Sequence, residues 1–349
     1  MSDPIEQFRS TIVAAAEQGR ALRIRGGGTK DFYGLRLDGD ILDTRIYSGI
    51  VEYEPTELVF TARAGTPLNE VQSALAENGQ MLAFEPPHFG SGATFGGCIA
   101  AGFSGPRRAY QGAARDFVLG VRVLNSAGED LRFGGQVMKN VAGYDLSRLL
   151  TGSFGTLALL LEISVKVLPI PETEQTLRFE MDEAEALDAM NRYAGQPVPL
   201  SGSCFVENSL YLRLSGAASA VAAARKQLGG ELMEGAPFWE SVREHTHPFF
   251  SGEEQLWRLS IKSTQAPLEL GPNLLEWNGS LRWVKGGSDL ARMDDAARNS
   301  GGSAIAFRHG GERGPIQRLQ PGLMSMQRKI KQAIDPAGVF GPHRMDENF

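Results

Sequence analysis

Glycine placement constrains this chain more than any other feature of its sequence. The short run ALRIR (Ala21–Arg25) empties directly into Gly26, Gly27 and Gly28, and a second segment, Pro86–Gly112, holds seven glycines and three prolines in 27 residues. Glycine admits positive φ and lets a ligand approach the backbone, so a strand ending in three glycines can present successive N–H groups as a concave nest for a diphosphate. The alternative for RGGGTK is a simple tight turn. The run is neither a dinucleotide fingerprint nor a P-loop. Asp31 stands where the first needs its third glycine, and Lys30 lies between Thr29 and Asp31 rather than in Gly–Lys–Ser/Thr. A structureless 27-residue connection is long for a compact domain, so the second segment is expected to have a function. Gly90, Gly92, Gly96 and Gly97 would pass close to a flat ligand, Thr94 would supply a hydroxyl and Ile99–Ala101 an apolar floor.

Around these loops the chain reads as mixed α and β. Ile5, Phe8, Ile12 and Val13 recur at helical spacing before Gly19. Leu58–Ala64 reads as a strand, and Leu68, Val71 and Leu75 form the apolar stripe of a helix begun by Thr66–Pro67 and closed by Gly79. Phe117–Asn125 and Asp130–Gly134, joined by Ser126–Ala127–Gly128, read as a hairpin, and Leu157–Pro169 as a long strand. The acidic, proline-punctuated Pro169–Gln175 reads as a domain boundary. Beyond it come strands at 176–180, 203–207, 209–214 and 256–262, helices at 182–193 and 217–228, and a final helix near 322–334. That order predicts an antiparallel sheet backed by helices on one face.

Length and composition limit the function classes. A chain of 349 residues has room for two domains, and 42% hydrophobic with 22% charged residues is ordinary for a globular protein. A net charge of −6 argues against a nucleic-acid partner. Two cysteines, Cys98 and Cys204, are too few for a zinc ribbon or an iron–sulfur cluster held by this chain alone. The N-terminus lacks the uninterrupted apolar stretch of a targeting signal, and no apolar run approaches membrane-spanning length, so the expected location is cytoplasmic, peripheral at the inner membrane only through a complex.

The ordered set RGGGTK, ARAGTPLNEVQSALAENGQMLAFEPP, ATFGGCIAAG, RDFVLGVRVLNSAGEDLRFGG, KNVAGYDLSRLLTGSFGTL and DPAGVFGP spans residues 20 to 170 and returns at 335 to 342. It resembles the FAD-binding domain of the vanillyl-alcohol oxidase and p-cresol methylhydroxylase (PCMH) type. Within that superfamily, GIVEYEPTELVFTARAGTPL, EPPHFG and FGGQVMKNVAGYDLSRL are similar to the family of FAD-binding E subunits of bacterial glycolate oxidase (glycolate dehydrogenase). The resemblance implies an α+β fold: a PCMH-type FAD-binding domain over 1–170, a small α+β cap over 171–320, and a C-terminal segment, 321–349, that packs back on the first domain.

It also implies roles for matching positions. Arg25, Gly26, Gly27, Gly28, Thr29 and Lys30 would hold the FAD diphosphate. Pro87, Ala93, Thr94, Gly96 and Gly97 would line the ribityl chain and isoalloxazine, and Gly152, Gly155, Thr156 and Ile163 the adenosine half or flavin edge. No histidine stands in the first glycine loop, so noncovalent FAD is expected.

The implied partners are a larger catalytic flavoprotein D subunit and an iron–sulfur F subunit, the complex oxidising glycolate to glyoxylate and passing electrons to an acceptor. Hydroxy-acid-oxidising relatives carry a His–Gly–Asp–Gly–Asn–x–His motif in the cap. The nearest stretch here, AFRHGGERG (Ala306–Gly314), keeps only a His–Gly pair. His309 therefore reads as a loop or partly buried residue, and His245 with His247 as a solvated pair, with no metal site expected. Oxidising a 2-hydroxy acid requires a base, a cation for the carboxylate and the flavin. Arg107, Arg108 and Arg115 are candidates for the cation or for a partner-facing patch, and the catalytic residues are unassigned. The expected role is a flavin relay or an assembly subunit rather than the primary substrate site. A self-sufficient hydroxy-acid dehydrogenase and a structural subunit with redox-silent FAD are the alternatives. Cys98 is expected to be a small packing residue.

Overall fold

The computed structural model describes residues 3–135, 145–287, 289–311 and 313–347. Residues 136–144 of the FGGQVMKNVAGYDLSRL segment lie outside these. The opening helix, Pro4–Glu17, is capped by Asp3, whose side chain accepts from the Ile5 N–H, and buries Ile5, Phe8, Ile12 and Ala15. Leu22–Arg25 pairs in parallel with Asp40–Asp43 and then releases the chain into the first glycine loop.

Two sheets organise the rest. The first runs in the order Ile50–Glu54, Val59–Arg63, Leu159–Lys166, Val118–Leu124, Asp130–Gly134, every neighbour antiparallel. Its central strand, Leu159–Lys166, explains the unbroken apolar run of the sequence: the first half is buried on both faces and the second alternates. Against it pack the helix Leu68–Ala76, through Leu68, Val71 and Leu75, and the helix Phe95–Ala101. The second glycine segment is therefore not a continuous loop. Thr94 accepts from the Gly97 N–H, and Gly102, at φ +64°, ends the Phe95–Ala101 helix.

The second sheet has eight antiparallel strands: Glu231–Met233, Thr173–Glu180, Ser209–Gly216, Leu200–Val206, Asn273–Glu276, Leu281–Lys285, Leu256–Ser260 and Ser303–Arg308. One face carries the helices Glu183–Ala194, Ala218–Leu228 and Leu290–Asn299 on Leu177, Leu210, Leu275, Trp257 and Ala306. The other face presents Cys204, Leu274, Trp283 and Phe307, packed with Tyr33, Phe103 and Phe154 of the glycine-rich lobe. The fold is thus α+β, with helices on one face of the larger sheet and the smaller lobe on the other.

A buried ion network spans the two lobes. The Glu85 carboxylate accepts from Arg213 Nη1 at 2.9 Å and Nη2 at 2.8 Å and from Arg107 N and Nε, while Arg107 also pairs with Glu174. Burial opposes the Glu85 charge, but Arg213 and Arg107 outweigh it and hold the carboxyl below its ordinary range. Arg107 is therefore committed to this network rather than available to a ligand. The C-terminal helix, Pro321–Ile334, is anchored by the buried Lys331 ammonium, which donates to Thr156 O, Phe340 O and Asp335 Oδ2, each at 2.6 Å. Leu22 N donates to Val339 O and Gly341 N to Leu22 O, which ties the chain end to the strand feeding the glycine nest.

Candidate functional site

A cavity opens where the first strand meets the helix Phe95–Ala101. Arg25, Gly26, Gly27, Gly28, Thr29 and Lys30 form one wall, and Thr94, Gly96, Gly97 and Gly155 continue it. The N–H groups of Gly27, Gly28, Thr29 and Lys30 make no hydrogen bond to any described residue, so the loop that lines the cavity carries four free donors. The glycines are needed for contact between the loops. A Cβ on Gly27 would lie 1.5 Å from Gly92 O, and one on Gly26 would lie 2.2 Å from Thr94 Oγ1. Gly28 adopts φ +73°, where a Cβ would strike the Arg25 guanidinium.

The cations of this loop differ in availability. Arg25 Nε donates to Asp31 Oδ2 at 2.7 Å, so its charge is already paired. Lys30 Nζ donates to His88 O at 3.1 Å, and burial lowers its pKa. Arg344, from the C-terminal segment, also lines the cavity. It is 8% exposed; Nη2 donates to Lys30 O at 3.0 Å and Nη1 is buried without a partner. Its pKa is lowered to about 10 by burial, which outweighs the attraction of the Asp31 carboxylate. The sequence reading missed Arg344, although it lies two residues beyond the closing DPAGVFGP.

The other expected site residues distribute as follows. Pro87 and Gly152 line an adjoining pocket between the lobes rather than the nest cavity. Ala93 and Ile163 are buried in the core of the smaller lobe, and the Thr156 hydroxyl donates to Ser153 O while its carbonyl accepts from Lys331. These three do not line the nest cavity. Its remaining wall is mostly apolar, from Ile24, Ala64, Ala100, Phe154, Ala158 and Leu160, with Asp31 and Thr44 as its polar members. Cys98 is fully buried and its thiol is pushed up to about 12, so it is an inert packing residue.

The adjoining pocket, of about 320 Å³, shares Ala101 and Phe154 with the nest cavity. Tyr33 stacks on Phe154 at 4.6 Å between ring centroids, and Phe103 and Phe307 close around them. His245 does not form a solvated pair with His247. It stacks on Phe250 at 4.0 Å and meets Trp283 edge-on, and burial lowers its pKa to about 3, so the imidazole is neutral. His245 adopts φ +55°, and the His247 ring meets Phe238 instead. Glu276 lines the same pocket, accepts from Trp283 Nε1 at 2.8 Å, and has its pKa raised to about 7 by burial, within reach of proton transfer near neutrality. Among the described residues there is no group of three or more His, Cys, Asp or Glu able to hold a metal ion.

The cavity thus brings together a loop of free N–H donors, the free Nη1 of Arg344 and an apolar wall that meets an aromatic pocket. The chain is a flavoprotein: residues 3–134 match the FAD binding domain family. It belongs to the glycolate oxidase E-subunit family, being 48% identical over 325 residues to glycolate oxidase subunit GlcE of Escherichia coli (strain K12), across 93% of this chain and 92% of that one. It is also 36% identical over 181 residues to glycolate oxidase subunit GlcD of Bacillus subtilis (strain 168), covering 50% of this chain and 38% of that protein. A solved alkyldihydroxyacetonephosphate synthase superposes with a TM-score of 0.66 over 95% of this chain and 73% of that one, at 14% identity, which shows a shared fold.

Proposed function

We propose that this chain is the FAD-carrying subunit of a multi-subunit complex that oxidises glycolate to glyoxylate, and that it contributes a second flavin to the path of the electrons. The observation that carries this reading is the nest itself, with four free backbone donors and Arg344 converging where a diphosphate belongs, in a chain similar over nearly its whole length to a glycolate oxidase subunit. FAD, when bound, supplies two-electron redox chemistry.

In this reading the chain's own residues divide the work. Gly27, Gly28, Thr29 and Lys30 bind the diphosphate through N–H donors, and Arg344 adds a guanidinium to it. Thr94, Gly96, Gly97, Gly152 and Gly155 allow backbone to pass close to the ribityl chain and ring, Pro87 lines the pocket between the lobes, and Ala93, Thr156 and Ile163 support the wall from behind. Tyr33, Phe154 and Phe307 exclude water, and Glu276 holds or moves a proton at its carboxyl. The flavin is held noncovalently. We assign residues 1–170 to the FAD domain, 171–320 to the cap and 321–349 to a closing segment that delivers Arg344. The partners are a catalytic flavoprotein D subunit and an iron–sulfur F subunit. No helix of the described residues is long and apolar enough to cross a membrane, so attachment to one would run through such partners.

The test is an anaerobic visible spectrum of the purified chain before and after excess glycolate, repeated with the partner subunits added. The reading expects a flavin band that is released by denaturation and is bleached fully in the assembled complex. A chain that neither carries nor rebinds FAD, or a complex whose second flavin is never reduced, would overturn it.

A further inference from the structure

The C-terminal helix, Pro321–Ile334, leaves an amphipathic face unused. Leu323, Met326 and Ile330 recur at helical spacing and share one side of it. The stripe begins at Ile330, packed on the core of the smaller lobe, and runs out into solvent, where Met326 is 58% and Leu323 50% exposed. Leu323, Met324 and Met326 join none of the apolar clusters among the described residues. The charge is as one-sided as the packing. Residues 313–334 hold five cations, Arg313, Arg318, Arg328, Lys329 and Lys331, and no acid, in a chain of net charge −6. Lys331 is paired with Asp335 and Arg318 lies 3.9 Å from Asp295, whereas the exposed side chains of Arg328 and Lys329 pair with no described residue.

An apolar stripe beside unpaired cations fits an anionic surface with an apolar groove, the way an amphipathic helix seats on a protein. A lipid surface is the poorer match. The segment has no aromatic residue to seat among headgroups, and two half-exposed side chains offer less apolar area than a single myristoyl chain, which alone binds only marginally. In a symmetric contact with a second copy, Arg328 and Lys329 would meet like charges. A cluster bound by cysteine thiolates is anionic and sets a negative field on the nearest face of its protein, which suits these cations. Position agrees with that partner. The C-terminal half of the helix stands behind the wall of the nest cavity: Lys331 Nζ donates to Thr156 O, next to Gly155 of that wall, and Ile330 and Ile334 pack on the core that includes Ala158 and Leu160. A partner on the outer face is separated from the wall by little more than one helix diameter, about 10 Å.

We infer that the outer face of the helix Pro321–Ile334 is the docking surface of this chain for the iron–sulfur F subunit, with Leu323 and Met326 entering an apolar groove and Arg328 and Lys329 meeting carboxylates at its rim. The inference rests on the partner reading above for the identity of that subunit. It places the subunit beside the flavin cavity, on the side away from the larger sheet.

The experiment is titration of the purified full chain against the F subunit with its cluster intact, followed by biolayer interferometry at several salt concentrations. The D subunit and phosphatidylglycerol-containing vesicles are run as parallel arms. Wild type should bind F saturably and more weakly as salt rises. The double variant Leu323→Asp with Met326→Asp should weaken binding about 10- to 100-fold, the loss of buried anchors. Arg328→Glu with Lys329→Glu should weaken it by a similar factor and flatten the salt dependence. Leu232→Asp, equally exposed but on the edge of the larger sheet, should bind as wild type. Every variant should keep wild-type flavin content and thermal melt, since the altered side chains are exposed; a purely structural role for the helix would move both. Wild-type affinity for F in both double variants, or a loss confined to the D subunit or the vesicles, would overturn the inference. The two readings fail separately: a wild-type chain that binds neither subunit sinks the partner reading and this one with it, whereas F binding untouched by either double variant sinks this one alone.

Discussion

Gly27→Ala tests the site at its tightest point. The added methyl would lie 1.5 Å from Gly92 O and 2.3 Å from Gly92 C, both backbone atoms that cannot rotate away. Since real Cβ contacts essentially never fall below 3.0 Å, the two glycine loops must separate by more than an ångström. Overpacking of this kind costs about 1–3 kcal/mol of stability, a loss the rest of the fold can sustain. The effect on FAD should be larger, because the donors of Gly27 and Gly28 point from the loop that moves. Hydrogen bonds to charged groups contribute about 1.5–3 kcal/mol each. Misaligning two of them should weaken FAD by roughly 100-fold or more at about 1.4 kcal/mol per decade. The assay is flavin fluorescence during titration of the flavin-stripped chain, with far-UV circular dichroism as the control for folding. Gly322→Ala, where a Cβ meets nothing within 4 Å, should bind FAD as wild type does. FAD affinity within threefold of wild type in Gly27→Ala would show that the nest does not hold the diphosphate.

Removing Glu85 should loosen the lobes. Glu85→Ala leaves Arg213 and Arg107 buried without their shared carboxylate, and chemical denaturation should show a loss of about 3–5 kcal/mol. Because its folded pKa is depressed, the Glu85 contribution is present above the unfolded value of about 4.3 and is lost as pH falls through the folded one, so the gap between variant and wild type should close only in acid. Glu276 carries the opposite sign. With a folded pKa raised to about 7, it binds its proton more tightly in the folded chain, so stability should fall by up to about 3 kcal/mol as pH rises from 5 to 8. Glu276→Gln should remove that slope in melts recorded across the range, and parallel curves for the two proteins would rule the assignment out.

Local signals carried much of the fold. The hairpin Val118–Leu124 with Asp130–Gly134 and the helices Pro4–Glu17, Leu68–Ala76 and Glu183–Ala194 were legible because period and caps are written in neighbouring residues. Strands Asn273–Glu276, Leu281–Lys285 and Ser303–Arg308 were not, because they are short and mostly buried, and their apolar residues show little alternation. The region 86–112 was read as one loop because its glycines mask the helix Phe95–Ala101, which the tertiary contacts of Gly96 with Ala64 hold in place.

The sequence by itself determined the cofactor, through the ordered motifs that resemble an FAD-binding domain and the match of residues 3–134 to that family. A strand ending in three glycines, followed by a second glycine-rich segment, specifies backbone donors, and those need only local conformation. The tertiary structure alone decided which charges are free to act. Arg25 and Arg107 looked available in the sequence, yet Asp31 pairs with the first, and Glu85 and Glu174 with the second. Arg344 carried no motif, yet it reaches the nest from the chain's far end. An arginine's role depends on the acid beside it and on the water removed from it, and both are set by packing: the acid stands six positions away for Arg25 and 22 and 67 away for Arg107.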